Sequence, residues 1–458
     1  MKQPRGFYRG VFALMIPMVL QNLITQTLTF ADVFMVGLLG QNYLAAVSTV
    51  ATPFFVVMVL MMGVQSGAGV LIAQYWGKGN AAVINRILGV GLYISFAVSV
   101  IGAILMSAFP HTLLNMIIND QNIVQLGLDY ARIIGFSYVF NSISGMYIAA
   151  QRSMGNPKIG FFVLTISAVF NVFANWVLIF GHFGFPALGI KGAAIATLFS
   201  RVLEVIIVAC YAFKNKRFIL NIKLLLKPGL IIVKDFFKYS LPVILNEALW
   251  GIGAMLYPII LGHMSQSAVI LAAYTIAGNI ERIFGITVFA TGGATAIIIG
   301  REIGAGRKDT VYSVGKTMIV LSMMLGFASG ALLMFARFTF LDKWIYPLFK
   351  LDQAAQATST TMITILAVVM LLRSLGVTLG IGVLRGGGDV RAVMFIDVGT
   401  LYFLAIPAAA LSALVFGAPI AVVYSCIALE DIGKAILLLR RFRGKRWIND
   451  VTRAELPA

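Results

Sequence analysis

The chain has 458 residues, 60% of them hydrophobic and only 11% charged, with a mean hydropathy of +0.94. Soluble domains carry about a quarter of their residues as Asp, Glu, Lys or Arg, so this composition excludes a soluble globular protein and describes a polytopic membrane protein. The formal net charge of +18 does not imply a nucleic-acid partner, because topology uses the basic residues and leaves no basic patch over.

Apolar runs of roughly 20 to 25 residues recur along the chain, each enough to cross about 30 Å of hydrocarbon at 1.5 Å per residue. Twelve spans are expected, near residues 11–36, 48–73, 87–108, 125–150, 159–181, 190–213, 236–262, 268–300, 312–336, 357–384, 391–415 and 417–439. The first follows a basic start, but its apolar run is too long for a signal peptide and lacks a small-residue cleavage site, so it reads as a span. Lys2, Arg5 and Arg9 precede it; Lys78 and Arg86 follow the second span, and Arg152 and Lys158 the fourth. The connection between the sixth and seventh spans carries Lys214, Lys216, Arg217, Lys223, Lys227, Lys234 and Lys238. Arg301, Arg307 and Lys308 follow the eighth, Arg385 and Arg391 the tenth, and Arg440, Arg441, Arg443, Lys445 and Arg446 the last. The alternate loops are nearly free of Lys and Arg, apart from the one between the ninth and tenth spans, which carries Lys343 and Lys350 among others. This bias predicts both termini and the long central loop in the cytoplasm, and the plasma (inner) membrane is the expected location.

Cys210 and Cys426 both fall in expected spans, which rules out a disulfide framework or a cysteine metal site. His111, His182 and His263 lie in or beside outer loops, no HExxH pair occurs, and GxxxxGK[ST] is absent. An enzyme is therefore not expected, and an ATP-driven pump would need a separate subunit. No cofactor is expected.

Two stretches read as one pattern written twice: PMVLQNLITQTLTFADVFMVGLLGQNYLAA from Pro17 and PVILNEALWGIGAMLYPIILGHMSQSAVILAA from Pro242. AGVLIAQYWGKGN from Ala68 lines up with TAIIIGREIGAGR from Thr295, pairing Gly79 with Gly306. QRSMGNPK from Gln151 lines up with LRGGGDVR from Leu384, pairing Arg152 with Arg385 and Gly155 with Gly388. The expectation is an all-α membrane protein of twelve helices in two six-helix bundles, residues 1–222 and 223–458. An even number of spans per half makes the repeats parallel, with substrate near mid-depth between them.

Only the first copy of the opening pattern carries an aspartate. A charge within a span is expensive to insert and marks a functional-site candidate. Asp32 lies roughly 7 Å below the outer end of the first span, Asn175 roughly 9 Å and Asn171 roughly 15 Å below that of the fifth, and Thr197 at roughly 12 Å in the sixth. Asn171 and Asn175 are spaced i, i+4 and share a helix face. Such a group of oxygens around a carboxylate suits sodium, or a proton on a carboxyl. Asparagines also serve as interhelical glue. Pro17 bends the helix bearing Asp32 by removing a backbone hydrogen bond, and Pro242 occupies the matching place in the second copy.

In the second half, Glu247, Glu281, Arg282 and Arg373 sit at middle depth, as a mutually neutralising network or a substrate surface. Arg201 with Glu204 and Glu430 with Lys434 have spacings that allow pairing on one helix face, and Asp129 with Arg132 could pair near an outer end. Asp397 stands close enough to a helix end to reach water. Met58, Met61, Met62, Trp250, Met255 and Tyr257, with Phe30, Phe34 and Met35, would suit a plastic cavity, or simply face lipid and other helices.

The Pro17-to-Asp32 spacing, the run Asp32-Val-Phe-Met-Val-Gly37, Leu44-Ala45-Ala46, the turn Gln74-Tyr-Trp-Gly-Lys-Gly79, and Phe170-Asn171-Val-Phe-Ala-Asn175 before Gly189-Ile-Lys-Gly-Ala-Ala194 together resemble the multidrug and toxic compound extrusion (MATE) family, over essentially the whole chain. The resemblance implies a monomeric two-lobed exporter that exchanges amphipathic organic cations for protons or sodium by alternating access. It implies that Asp32 is the coupling carboxylate and Asn171 its polar partner. Family members often have an aspartate where Asn175 stands, so this chain keeps one acid there and both coupling ions stay open. Aligned on Leu384-Arg385-Gly386, an aspartate of the family's tenth span falls on Ser374, so a sodium site in that lobe is not expected to be intact. A lipid-linked precursor flippase or a narrow metabolite exporter of related fold is the alternative.

Overall fold

The computed structural model describes residues 4–348 and 351–453, so Lys2 and Lys350 of the charge pattern lie outside the described residues. No strand occurs among the described residues. The helices are α1 (Arg5–Gly37), α2 (Gln41–Gly77), α3 (Ala81–Ala108), short α4 (Pro110–Asn115), α5 (Gln121–Ser153), α6 (Lys158–Phe180), α7 (Ile190–Lys214) and short α8 (Ile222–Leu226). They continue as α9 (Leu230–Gly262), α10 (Ser267–Gly304), α11 (Lys308–Ile345), α12 (Gln353–Leu384), α13 (Val390–Val415) and α14 (Ile420–Arg443). Eleven of them are long and apolar enough to cross a membrane. The twelfth expected span, α14, carries Glu430, Asp431 and Lys434 together and does not pass as apolar on its own. It is a helix of spanning length whose charges are matched by other helices, as described below.

The helices outrun their apolar cores and close with the same device at related places. At the ends of α2 and α10, Gly79 and Gly306 both take φ +78°, and the amide three residues past the helix reaches back, Asn80 to Tyr75 and Arg307 to Glu302. Gly155 (φ +79°) and Gly388 (φ +84°) end α5 and α12, with Asn156 bonded to Gln151 and Asp389 to Leu384. These left-handed caps need glycine because a Cβ is strained there, and they satisfy carbonyls left open by the helix end. They occur at positions that the sequence pairs.

The chain packs as two compact units: residues 16–244, and the described parts of 1–15 with 245–458. Both divisions fall inside helices, just before Pro17 in α1 and just after Pro242 in α9. Residues 223–244, which the sequence groups with the second half, pack with the first unit.

In the first unit, Phe54 of α2 stacks on Tyr138 of α5 with centroids 4.4 Å apart, over a core of Val50, Met106, Leu114 and Ile134. In the second, Leu261, Ala273, Ala277, Met362, Ile363 and Val423 form the core where α9, α10, α12 and α14 meet. There α11 lies close against α12, because a Cβ built on Gly326 would collide with Ser374 Oγ and one on Gly330 with the Ala367 carbonyl. Small residues four apart are how helices approach in lipid, where burial of apolar surface gives no separate driving force. Large apolar side chains such as Phe327, Phe338 and Phe403 stand exposed, which is costly in water and acceptable against hydrocarbon chains.

Candidate functional site

Asp32 sits one and a half turns before the end of α1, and α6 presents Asn171 and Asn175 to it from one face. Asn175 Nδ2 donates to Asp32 Oδ1 at 2.7 Å and to Asn171 Oδ1 at 3.0 Å, and Asn171 Nδ2 donates to Thr197 Oγ1 of α7 at 3.4 Å. Four residues from three helices thus form one hydrogen-bonded chain. Both asparagines are 1% exposed, while Asp32 is only partly buried. Asn175 Oδ1 is buried with no hydrogen-bond donor among the described residues. A buried acceptor left open beside a carboxylate is completed by a cation or by a proton-bearing group.

Asp32 has no ion-pair partner among the described residues. Arg201 lies within electrostatic reach of it but is held elsewhere, with Nη1 2.6 Å from Glu204 Oε1. Glu204, 1% exposed, also accepts from Ser167 at 2.7 Å and from Ser144 at 3.2 Å. The expected Arg201 and Glu204 pair forms, and hydroxyls fill the carboxylate's remaining lone pairs.

The second unit holds a larger charged cluster. Arg385 Nη1 is 2.6 Å from Glu247 of α9, and its Nη2 is 3.7 Å from Asp397 of α13. Asp397 also faces Lys434 of α14 at 3.7 Å and accepts from Asn246 Nδ2 at 3.0 Å. Lys434 reaches Glu430 at 2.7 Å, and Glu430 accepts from the Tyr257 hydroxyl at 3.0 Å. One residue on, Asp431 takes Arg373 Nη2 at 2.8 Å, and Arg373 also pairs with Glu281. Five carboxylates here face three cations.

Several sequence expectations are corrected by this arrangement. Glu247 does not join Glu281 and Arg373: it pairs with Arg385, which is 3% exposed although its place after the tenth span reads as a loop cation. Arg282 is exposed and makes no hydrogen bond or ion pair among the described residues. Asp397 is inside the cluster rather than at the water, with a side chain 14% exposed. Asp431 was missed altogether; three charges within five residues of a membrane-length helix were its available signal. Asp129 finds Lys191 at 2.7 Å as a closer partner than Arg132 at 3.7 Å. Ser374 is fully buried and exchanges hydrogen bonds with Ser322, Oγ to carbonyl in both directions at 2.9 and 2.8 Å. Its position serves helix packing. Pro17 and Pro242 lie within continuous helices beside the two unit divisions. Trp250 and Phe30 are exposed, Tyr257 is bonded to Glu430, and Met58, Met61 and Met62 border a cavity of about 200 Å³ in the first unit. Among the described residues no group of three or more His, Cys, Asp or Glu could hold a metal ion.

Comparison with known proteins places this architecture. The MatE family pattern matches residues 17–177 and 242–426, three quarters of the chain and both copies of the opening motif. The chain belongs to the MatE family. This MatE protein is thus a multi-pass membrane transporter and not an enzyme. It is 26% identical over 329 residues to the probable multidrug resistance protein YoeA of Bacillus subtilis, covering 71% of each chain. It is 25% identical over 456 residues to the uncharacterized transporter YisQ of the same organism, covering 98% of this chain and 97% of that one. The crystal structure of the eukaryotic MATE transporter AtDTX14 has the same fold, with a TM-score of 0.84 at 18% identity and 97% of each chain covered.

Proposed function

We propose that this MatE protein is a secondary antiporter that exports amphipathic organic cations or drugs in exchange for protons or sodium, by alternating access. The observation that carries the proposal is the isolation of Asp32. Glu204, Glu247, Glu281, Asp397, Glu430 and Asp431 each face a cation at ion-pair distance, whereas Asp32 has no ion-pair partner among the described residues and accepts from the Asn175 amide. A carboxylate kept within a span and left without a fixed counter-charge is suited to take a mobile one. Asn171, Asn175 and Thr197 orient it.

The five carboxylates against three cations in the second unit suit a positively charged substrate, and the multidrug resistance name carried by YoeA supports a drug-like one. Pro17 leaves the Ala13 carbonyl without its usual donor, so cation uptake and release at Asp32 can favour two shapes of α1. The protein acts as a monomer in the inner membrane with cytoplasmic termini, and its halves, 1–222 and 223–458, work as parallel repeats.

The test is uptake of a fluorescent organic cation into proteoliposomes under proton and sodium gradients imposed separately. One gradient is expected to drive uptake. Flux that ignores both would count against antiport and favour a lipid-precursor flippase or a narrow metabolite exporter.

A further inference from the structure

The cavity of about 200 Å³ in the first unit has four polar wall residues without a side-chain partner among the described residues. Gln21 of α1, Gln65 of α2, and Asn141 and Arg152 of α5 line it, and none of these side chains makes a hydrogen bond or ion pair among the described residues. Glycines leave room for the amides: a Cβ on Gly145 would sit 2.9 Å from Gln65 Nε2, and one on Gly160 2.9 Å from Gln21 Nε2. Glu204 also borders the cavity, but its charge is met by Arg201 and its lone pairs by Ser144 and Ser167. The cavity therefore keeps the positive charge of Arg152. That residue lies in the last turn of α5, where the helix dipole supplies only a fraction of a counter-charge.

The second unit shows what a neutralised version looks like. The sequence pairs Arg152 with Arg385, and Arg385 is matched by Glu247 and Asp397. By the two pairings of the repeat, Pro17 opposite Pro242 sets Asn22 against Glu247, and Arg152 opposite Arg385 sets Leu164 against Asp397. Both carboxylates are absent from the first copy, and Leu164 lines the cavity in place of one of them.

We infer that this cavity binds the anionic end of an amphipathic molecule, a carboxylate or phosphate received by Arg152 and the amides of Gln21, Gln65 and Asn141, with an apolar body against Met58, Met61 and Met62. A guanidinium with convergent amide donors matches the geometry of such oxyanions, and thioethers repack around apolar shapes. The volume takes one ring with its anionic group rather than a whole drug-sized molecule. The inference rests on the export reading and adds substrate chemistry to it: among amphipathic organic cations, those that also carry an anionic group, the zwitterions, are preferred to simple cations.

The experiment is fluorescence anisotropy of the full-length protein in phosphatidylcholine nanodiscs, titrated against rhodamine 110, which has a free carboxylate, and rhodamine 123, its methyl ester. Wild type is expected to bind the acid about tenfold more tightly than the ester. Arg152→Gln should collapse that ratio toward one, and Arg152→Lys should keep most of it. Should Arg152→Gln fail to fold, displacement from wild type decides instead: benzoate should compete with rhodamine 110 and benzamide should not. A wild-type ratio near one, an unchanged ratio in folded Arg152→Gln, or equal displacement by benzoate and benzamide would overturn the inference. Discs containing phosphatidylglycerol separate two sources of the same chemistry. Loss of the preference there assigns the site to a lipid headgroup, and its survival assigns it to a solute; both keep the anion site. Binding needs no gradient, so failure here leaves coupled export standing, and failure of coupled export leaves the anion site standing.

Discussion

Asp32 and Asn175, 143 residues apart, share a 2.7 Å hydrogen bond, and the nitrogen that makes it also ties Asn175 to Asn171 at 3.0 Å. Asn175 therefore fixes where the Asp32 carboxylate points, while its own oxygen is buried without a donor among the described residues.

Replacing Asn175 by leucine removes both the donor to Asp32 and the open acceptor. A hydrogen bond to a charged group contributes about 1.5–3 kcal/mol, which corresponds to roughly a tenfold effect or more. The expected outcome is an about tenfold loss of gradient-driven uptake rate in proteoliposomes, with an unchanged gel-filtration profile. Uptake equal to wild type would remove Asn175 from the site.

Arg385 holds two carboxylates inside the second unit. Removing one partner of a buried pair costs about 3–5 kcal/mol, because a charge is left buried and unpaired. Arg385→Met should lower the melting temperature of the detergent-solubilised protein, and adding Glu247→Met should regain much of the loss. The exposed Glu302 and Arg307 fork, bonded at 2.6 and 2.7 Å, is the control. Arg307→Ala there should change stability by about 0–1 kcal/mol.

Gly326→Ala should destabilise by driving a methyl into Ser374 Oγ, whereas Gly278→Ala meets nothing within 4 Å. The second change should be neutral or stabilising by up to about 1 kcal/mol, the helix propensity gained over glycine. Melting curves of the two variants, measured side by side, check this. Equal behaviour would mean that α11 and α12 are not packed this closely.

The helical frame and the local pairs were legible because their signals are local. An apolar run marks a span, and i, i+3 or i, i+4 spacing brought Arg201 to Glu204 and Lys434 to Glu430. The group around Asp32 was legible for another reason: depth along oppositely directed spans put four polar residues in one slab. Arg385 reads as a loop cation because a basic residue at a span end is also what topology requires, and burial decides between the two meanings only once helices from elsewhere are in place. Glu247 and Asp397 meet Arg385 from helices far apart in the sequence, and no periodicity reports on such a meeting. Arg282 and Glu281 are neighbours with opposite fates, since adjacent helical positions point in directions about 100° apart.

The central claim is that Asp32 carries the coupling ion, and the most direct measurement separates coupling from passage in Asp32→Asn proteoliposomes. Uphill accumulation of a fluorescent organic cation under an imposed proton or sodium gradient is compared with its downhill exchange in the absence of any gradient. The account predicts that accumulation is lost while downhill exchange persists at a measurable rate. Accumulation at the wild-type level in Asp32→Asn would contradict it.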